Sequence, residues 1–138
     1  MELAEHDYEA AAVSFQRSVE ENEDNSYAWN NLGFVHMESE NFEAAVEALE
    51  QATSGASPTG YMWNNLGMAY EHLNEIDSAR ASYRQAVEAG SVKAQDNFDR
   101  LEGVVSLVME DEELGEDVAM EAPSVEDELA DAGNLESE

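Results

Sequence analysis

A chain of 138 residues bounds the protein at one domain plus appendages, and 43% hydrophobic residues give it enough apolar surface for a core. Thirty-three acidic residues against five basic ones leave a formal charge of −28, which disfavours nucleic acid and anionic membranes as ligands, because both are bound through Lys and Arg. No run of 18 apolar residues marks a transmembrane helix, no basic stretch followed by an apolar one marks a secretory leader, and zero cysteines exclude disulfides and thiolate metal sites. The cytoplasm is the expected compartment.

In chain order, Met1 to Glu5 is too short for a full opening helix. Tyr8, Ala11, Ala12, Phe15 and Val19 then step at i, i+3, i+4, i+7 and i+11, which predicts an amphipathic helix. Glu20 to Asn25 is a polar turn, with Asn25 or Ser26 as the cap of the next helix. Helices are expected at about 26–38, 42–53, 60–73 and 76–89, separated by turn chemistry at Ser39-Glu40-Asn41, Gly55-Ala56-Ser57-Pro58, Asn74-Glu75 and Gly90. Such short connections imply antiparallel pairs. Ala94, Phe98, Leu101, Val105 and Val108 predict a further helix over 92–109, in which Gly103 costs about 1 kcal/mol relative to Ala. From Glu110 onward there are thirteen acids and no base, a composition that predicts a disordered tail. Within it, Ser124 to Leu129 reads as no more than a transient capped helix.

The strongest signal is repetition. Trp29-Asn30-Asn31-Leu32-Gly33 returns 34 residues later as Trp63-Asn64-Asn65-Leu66-Gly67. Downstream, Phe42, Glu43, Ala44, Ala45 and Leu49 answer to Ile76, Asp77, Ser78, Ala79 and Tyr83; one period earlier stand Tyr8, Glu9, Ala10, Ala11 and Phe15. A fixed period of this length means stacked supersecondary units that bury their apolar faces only against one another. The pattern resembles the tetratricopeptide repeat family. Trp29, Leu32, Gly33, Ala45 and Leu49 carry its motif once, and Trp63, Leu66, Gly67, Tyr70, Ala79 and Tyr83 carry it again. His36 departs from the family's Tyr, Leu49 from its aromatic, and Gly90-Ser91 from the inter-repeat proline that Pro58 supplies once.

The expected fold is therefore all-α, a tetratricopeptide-like solenoid of helical hairpins over residues 1–109. It comprises a partial repeat (1–25), two full repeats (26–59 and 60–93) and a capping helix (94–109), followed by the acidic tail 110–138. Trp29, Leu32, Gly33 and His36 share one side of their helix, as do Trp63, Leu66, Gly67 and Tyr70, and this stripe is the packing face. The opposite side carries Tyr27, Asn31, Phe34 and Glu38 in one repeat and Tyr61, Asn65, Met68 and His72 in the next. The resemblance implies that this side lines a groove in which Asn31 and Asn65, with Asn30 and Asn64 beside them, hold a peptide backbone. A carboxamide suits that task because it both donates and accepts. Tyr27, Phe34, Tyr61 and Met68 would add apolar contacts.

Residues 26–38 and 60–73 contain no Lys or Arg, so the carboxylate-clamping subtype of the family is excluded. Nothing marks an enzyme. His6, His36 and His72 lack metal-ligand spacing, and no phosphate loop, nucleophile motif or calcium loop is present, so neither metal nor cofactor is expected. The expected function is a non-enzymatic protein–protein interaction module for an extended peptide or partner helix, with basic flanks as the charge would favour. The alternatives are self-association as a homodimer through the terminal helices, and an acidic decoy for a basic protein. The charge is spread along the chain, with net −13 on residues 1–93 and −15 on residues 94–138, as in a halophilic protein or one with a basic partner. Salt shortens the reach of this self-repulsion to about 8 Å at 0.15 M and further at higher concentration. The melting temperature should accordingly rise with NaCl beyond physiological concentrations, and a flat or falling curve in calorimetry up to molar salt would contradict it.

Overall fold

Turn residues mark the helix ends in the computed structural model, which describes residues 5–120. Six helices follow one another: α1 (Glu5–Glu21), α2 (Ser26–Glu38), α3 (Phe42–Thr53), α4 (Gly60–His72), α5 (Ile76–Glu88) and α6 (Val92–Met120). Among the described residues there is no strand. The chain divides within α6, between Leu101 and Glu102. In the first unit α2 pairs with α3 and α4 with α5, while α1 packs on α2 and α3 on α4. These are the two full hairpins of the 34-residue period, preceded by a helix equivalent to α3 and α5.

Local chemistry explains the ends. Asn25 caps α2 by accepting from the Ala28 amide at 3.1 Å, Thr59 caps α4 through the Met62 amide, and Ser91 caps α6 through the Ala94 amide at 3.1 Å. After α2, α4 and α5 the chain turns through a left-handed residue: Glu40 (φ 63°), Asn74 (φ 61°) and Gly90 (φ 95°). The next amide in each case reaches back five residues: Asn41 to the His36 carbonyl, Glu75 to that of Tyr70 and Ser91 to that of Ala86, at 2.8–2.9 Å. Asn74 and Gly90 suit that conformation. Glu40 carries a Cβ penalty of about 1–2 kcal/mol there.

The Trp–Leu–Gly stripe is the packing face. Leu32 and Leu66 are buried, and Trp29 and Trp63 are half-buried, with the Trp29 indole donating to the Glu23 carbonyl at 2.8 Å. A Cβ on Gly33 would overlap the Leu49 side chain, and one on Gly67 would lie 2.6 Å from the Tyr83 ring. Leu49 and Tyr83 have no exposed surface at all. Around them form one cluster of Met37, Ala45, Val46, Leu49, Leu66 and Ala69, and another of Ala79, Tyr83 and Leu101. Full burial of a side chain such as Leu49 stabilises by roughly 1.5–3 kcal/mol. Leu101, with Ala94 and half-buried Phe98, closes the last hairpin from α6, the capping role expected of this segment.

α6 differs from expectation at its far end. It runs to Met120, past Met109, where the acidic tail was expected to begin. Glu, Leu, Ala and Met are strong helix formers, so the onset of like charge does not itself stop the helix. The remainder of the expected tail, including Ser124 to Leu129, lies outside the described residues.

The two kinds of glycine predict opposite outcomes. Gly67→Ala should destabilise by about 1–3 kcal/mol, since the ring opposite cannot retreat from a buried site. Gly103 has nothing within 4 Å of its added Cβ, so Gly103→Ala should be neutral or stabilising by up to about 1 kcal/mol. Urea denaturation of both variants tests the contrast; equal and opposite-to-expected shifts would refute the close-approach argument.

Candidate functional site

The eight residues singled out from sequence divide into two sets. Tyr27 (61% exposed), Phe34 (48%) and Tyr61 (46%) stand open to solvent on α2 and α4, and Asn31 is exposed beside them. Asn30 and Asn64 are buried, and Asn65 and Met68 are half-buried. The Asn65 carboxamide donates to Asn30 Oδ1 at 3.0 Å, linking α4 to α2. From α6, Asn97 donates to Asn64 Oδ1 at 2.9 Å, and Asn64 itself points Nδ2 at the Met68 sulfur, 3.5 Å away. Three of the four asparagines thus hold helix to helix. The Asn31 side chain makes no hydrogen bond to the described residues. A neutral amide pair buried in this way contributes about 0.5–1.5 kcal/mol, and leaving one half without the other costs more.

Met68 belongs to the same packed side. It contacts both core clusters and, with Glu71, His72, Tyr83, Asn97 and Arg100, lines a cavity of about 330 Å³. This cavity holds a polar network that sequence reasoning missed. Arg100 grips the Glu71 carboxylate with both nitrogens, at 2.7 and 2.9 Å, and the Tyr83 hydroxyl donates to the same carboxylate at 2.8 Å. The Arg100 hydrogen bond holds the Glu71 carboxyl below the ordinary carboxylate range, against the opposing effect of burial. Burial, followed by the Glu71 carboxylate, pushes the Tyr83 hydroxyl up. The repeat motif offers no signal for this network, because Glu71 and Arg100 lie 29 residues apart on different helices. Elsewhere the Tyr70 hydroxyl of α4 donates to the Glu50 carboxylate of α3.

The remaining charged groups are used locally. Arg80 lies 3.8 Å from Asp77, whereas Arg84 does not seek an acid but sits 5.5 Å from the centre of the Phe98 ring. His72 stacks on Phe42 with ring centroids 4.3 Å apart. His36, half-buried where the second repeat has Tyr70, is lowered in pKa by burial. Among the described residues no three His, Asp or Glu side chains converge as metal ligands, and no helix is long and apolar enough to cross a membrane.

The Glu71 network predicts a pH dependence. Its folded-state pKa is depressed, so its stabilisation is present above the unfolded value of about 4.3 and is lost as pH falls through the lower folded value. Glu71→Gln should therefore lower stability at pH 7 and narrow the gap to wild type as the pH drops below about 4. Parallel denaturation curves at every pH would dismiss the role assigned to this carboxylate.

Two tetratricopeptide repeat family models match the chain, one over residues 2–58 and the other over residues 35–94. No curated protein matches it. The matched segments overlap and together run from the start of α1 into α6, over the same helices whose Trp–Leu–Gly stripes and 34-residue period were traced above. The chain belongs to the tetratricopeptide repeat family.

Proposed function

We propose that the protein is a non-enzymatic interaction module that binds an extended peptide or partner helix with basic flanks across the exposed side of α2 and α4. Tetratricopeptide repeats are generally protein–protein interaction modules. The observation that carries the finer reading is the exposure of Tyr27, Phe34 and Tyr61 on the opening helices of two consecutive repeats. Large aromatic side chains left in water on adjacent elements are the composition of an interface core rather than of a solvated face. Asn31 adds a free carboxamide at the same side, suited to a peptide unit. α2 and α4 carry no Lys or Arg, and the chain's −28 charge would draw in a basic partner and speed its encounter.

Asn65 has a different part in this reading from the one its sequence position implies. Its donor is engaged by Asn30, so it supports the face rather than meeting the peptide directly. A second reading, association of two copies, is favoured by one observation: Val104, Leu107, Val108 and Met109 are all exposed on α6. Like charge opposes it, and sedimentation at low and high salt would reveal a dimer if it forms.

The test is selection of ligands for the intact protein from a random peptide display library. Selected peptides should be rich in Lys or Arg together with apolar residues. Replacing both Phe34 and Tyr61 by Ala should weaken their binding at least about tenfold, or 1.4 kcal/mol, with the melting temperature little changed. Ligands that bind the double variant as tightly as wild type would defeat the proposal.

A further inference from the structure

We infer that the cleft between α1 and the C-terminal end of α2 binds an arginine side chain of a protein partner. The molecule contains the same helix seam twice, and the two copies differ. Between α3 and α4 the seam is filled: Phe42 stacks on His72 with ring centroids 4.3 Å apart, Val46 is buried, and Tyr70 and Leu73 pack on the same cluster. One period earlier the corresponding residues are Tyr8, Glu38, Ala12, His36 and Ser39. Val46 is answered by Ala12, Leu73 by Ser39, and the stacking ring of His72 by the carboxylate of Glu38. A cleft of about 640 Å³ remains, lined by these five residues and by Glu9, Val13 and Glu40. Every position compared lies on α1, on α2 or at the turn after it. The cleft is therefore made by side-chain identity between two helices that are both in place.

The chemistry of the walls selects the occupant. Tyr8, Ala12 and Val13 offer an apolar wall along which an aliphatic stem can lie. Glu9, Glu38 and Glu40 bring carboxylates from both helices and the turn. Among the described residues none of these three has a hydrogen-bonding or ionic side-chain partner, and no Lys or Arg lines the cleft. Burial holds the His36 pKa below its ordinary value, so at neutral pH the imidazole adds no positive charge against a cation. Arginine suits this wall better than lysine. A guanidinium is planar, stacks on an aromatic ring and spreads its donors over several carboxylates, whereas an ammonium is a compact point charge.

The source of the arginine rests on the function proposed above, in which the partner has basic flanks. On α2, Glu38 follows Phe34 by four residues, one turn along the same face, so the cleft adjoins the aromatic side. An acidic ligand would meet repulsion at the three carboxylates, and a second copy of the chain is opposed by its own −28 charge.

The experiment titrates the intact protein with acetyl-Gly-Arg-Gly-amide and follows backbone amides by NMR at physiological salt, where diffuse attraction is screened. Saturable shifts should appear at residues 8–13 and 36–41. Citrulline in place of the arginine, which keeps the shape without the charge, should weaken binding at least about tenfold, and lysine at least about threefold. Glu9→Gln with Glu38→Gln should weaken it at least about fivefold. Glu23→Gln with Asp24→Asn, an equal change of charge at the other end of α2, should leave it unchanged. Ser39→Leu, which supplies the side chain that Leu73 provides in the filled seam, should abolish binding with the melting temperature equal or higher. Phe34→Ala with Tyr61→Ala should not affect this probe, which has no apolar residue for the aromatic side, so failure at the cleft and failure at that side are read separately. The inference is overturned by absence of saturable shifts, by equal binding of the arginine and citrulline probes, or by arginine binding that survives Ser39→Leu. It is equally overturned by shifts confined to Tyr27, Phe34 and Tyr61, or by equal losses in the two charge variants, which would show attraction to net charge alone.

Discussion

Everything in the repeat region depends on how closely two helices of a hairpin can approach. Gly33 and Gly67 remove the side chain at the point of contact, and Leu49 and Tyr83 fill the space so made until neither has any surface left. The contact fixes the rotation of each opening helix, since only one side carries the glycine. With that side turned inward, Tyr27, Phe34 and Tyr61 can only turn outward. The exposure of these three rings thus follows from the rotation that buries the glycine.

The parts of this arrangement that were legible in the sequence are those written twice. The recurrence of Trp-Asn-Asn-Leu-Gly announces the stripe, and the turn residues announce the helix ends to within a residue or two. Which asparagines stay free was not legible, because Asn31 and Asn65 are identical in motif and differ only in whether a helix precedes them. The bond between Glu71 and Arg100 was hidden for another reason: it joins a repeat to a capping helix that does not share the period. Glu40 shows a third limit. Ser39-Glu40-Asn41 reads as a turn, yet Asn41 would be the natural choice for a left-handed residue, and the backbone places Glu40 there instead.

Acidity and packing act at different levels. The acids lie outside the clusters that hold the hairpins together; among the described residues the buried polar and charged set consists of Asn30, Thr53, Asn64 and Ser82, none of them ionisable in the ordinary range. Apart from Glu71 and Glu50, which bond neighbouring helices, the acids of the described hairpins can be varied without touching the apolar contacts between helices. That separation is what allows one fold to combine a core of ordinary composition with a strong negative field.

The two carboxamide bridges, Asn65 to Asn30 and Asn97 to Asn64, bring out a further property of the stack. The first joins the opening helices of two repeats and the second joins the last of them to α6, each through a neutral donor and a neutral acceptor that no proton or counterion can switch. In a molecule where more than one residue in four is charged, these two links between helices are indifferent to pH and ionic strength, unlike the Arg100–Glu71 bridge beside them. Protonation or added salt can weaken the ionic bridge and leave the two amide links as they were.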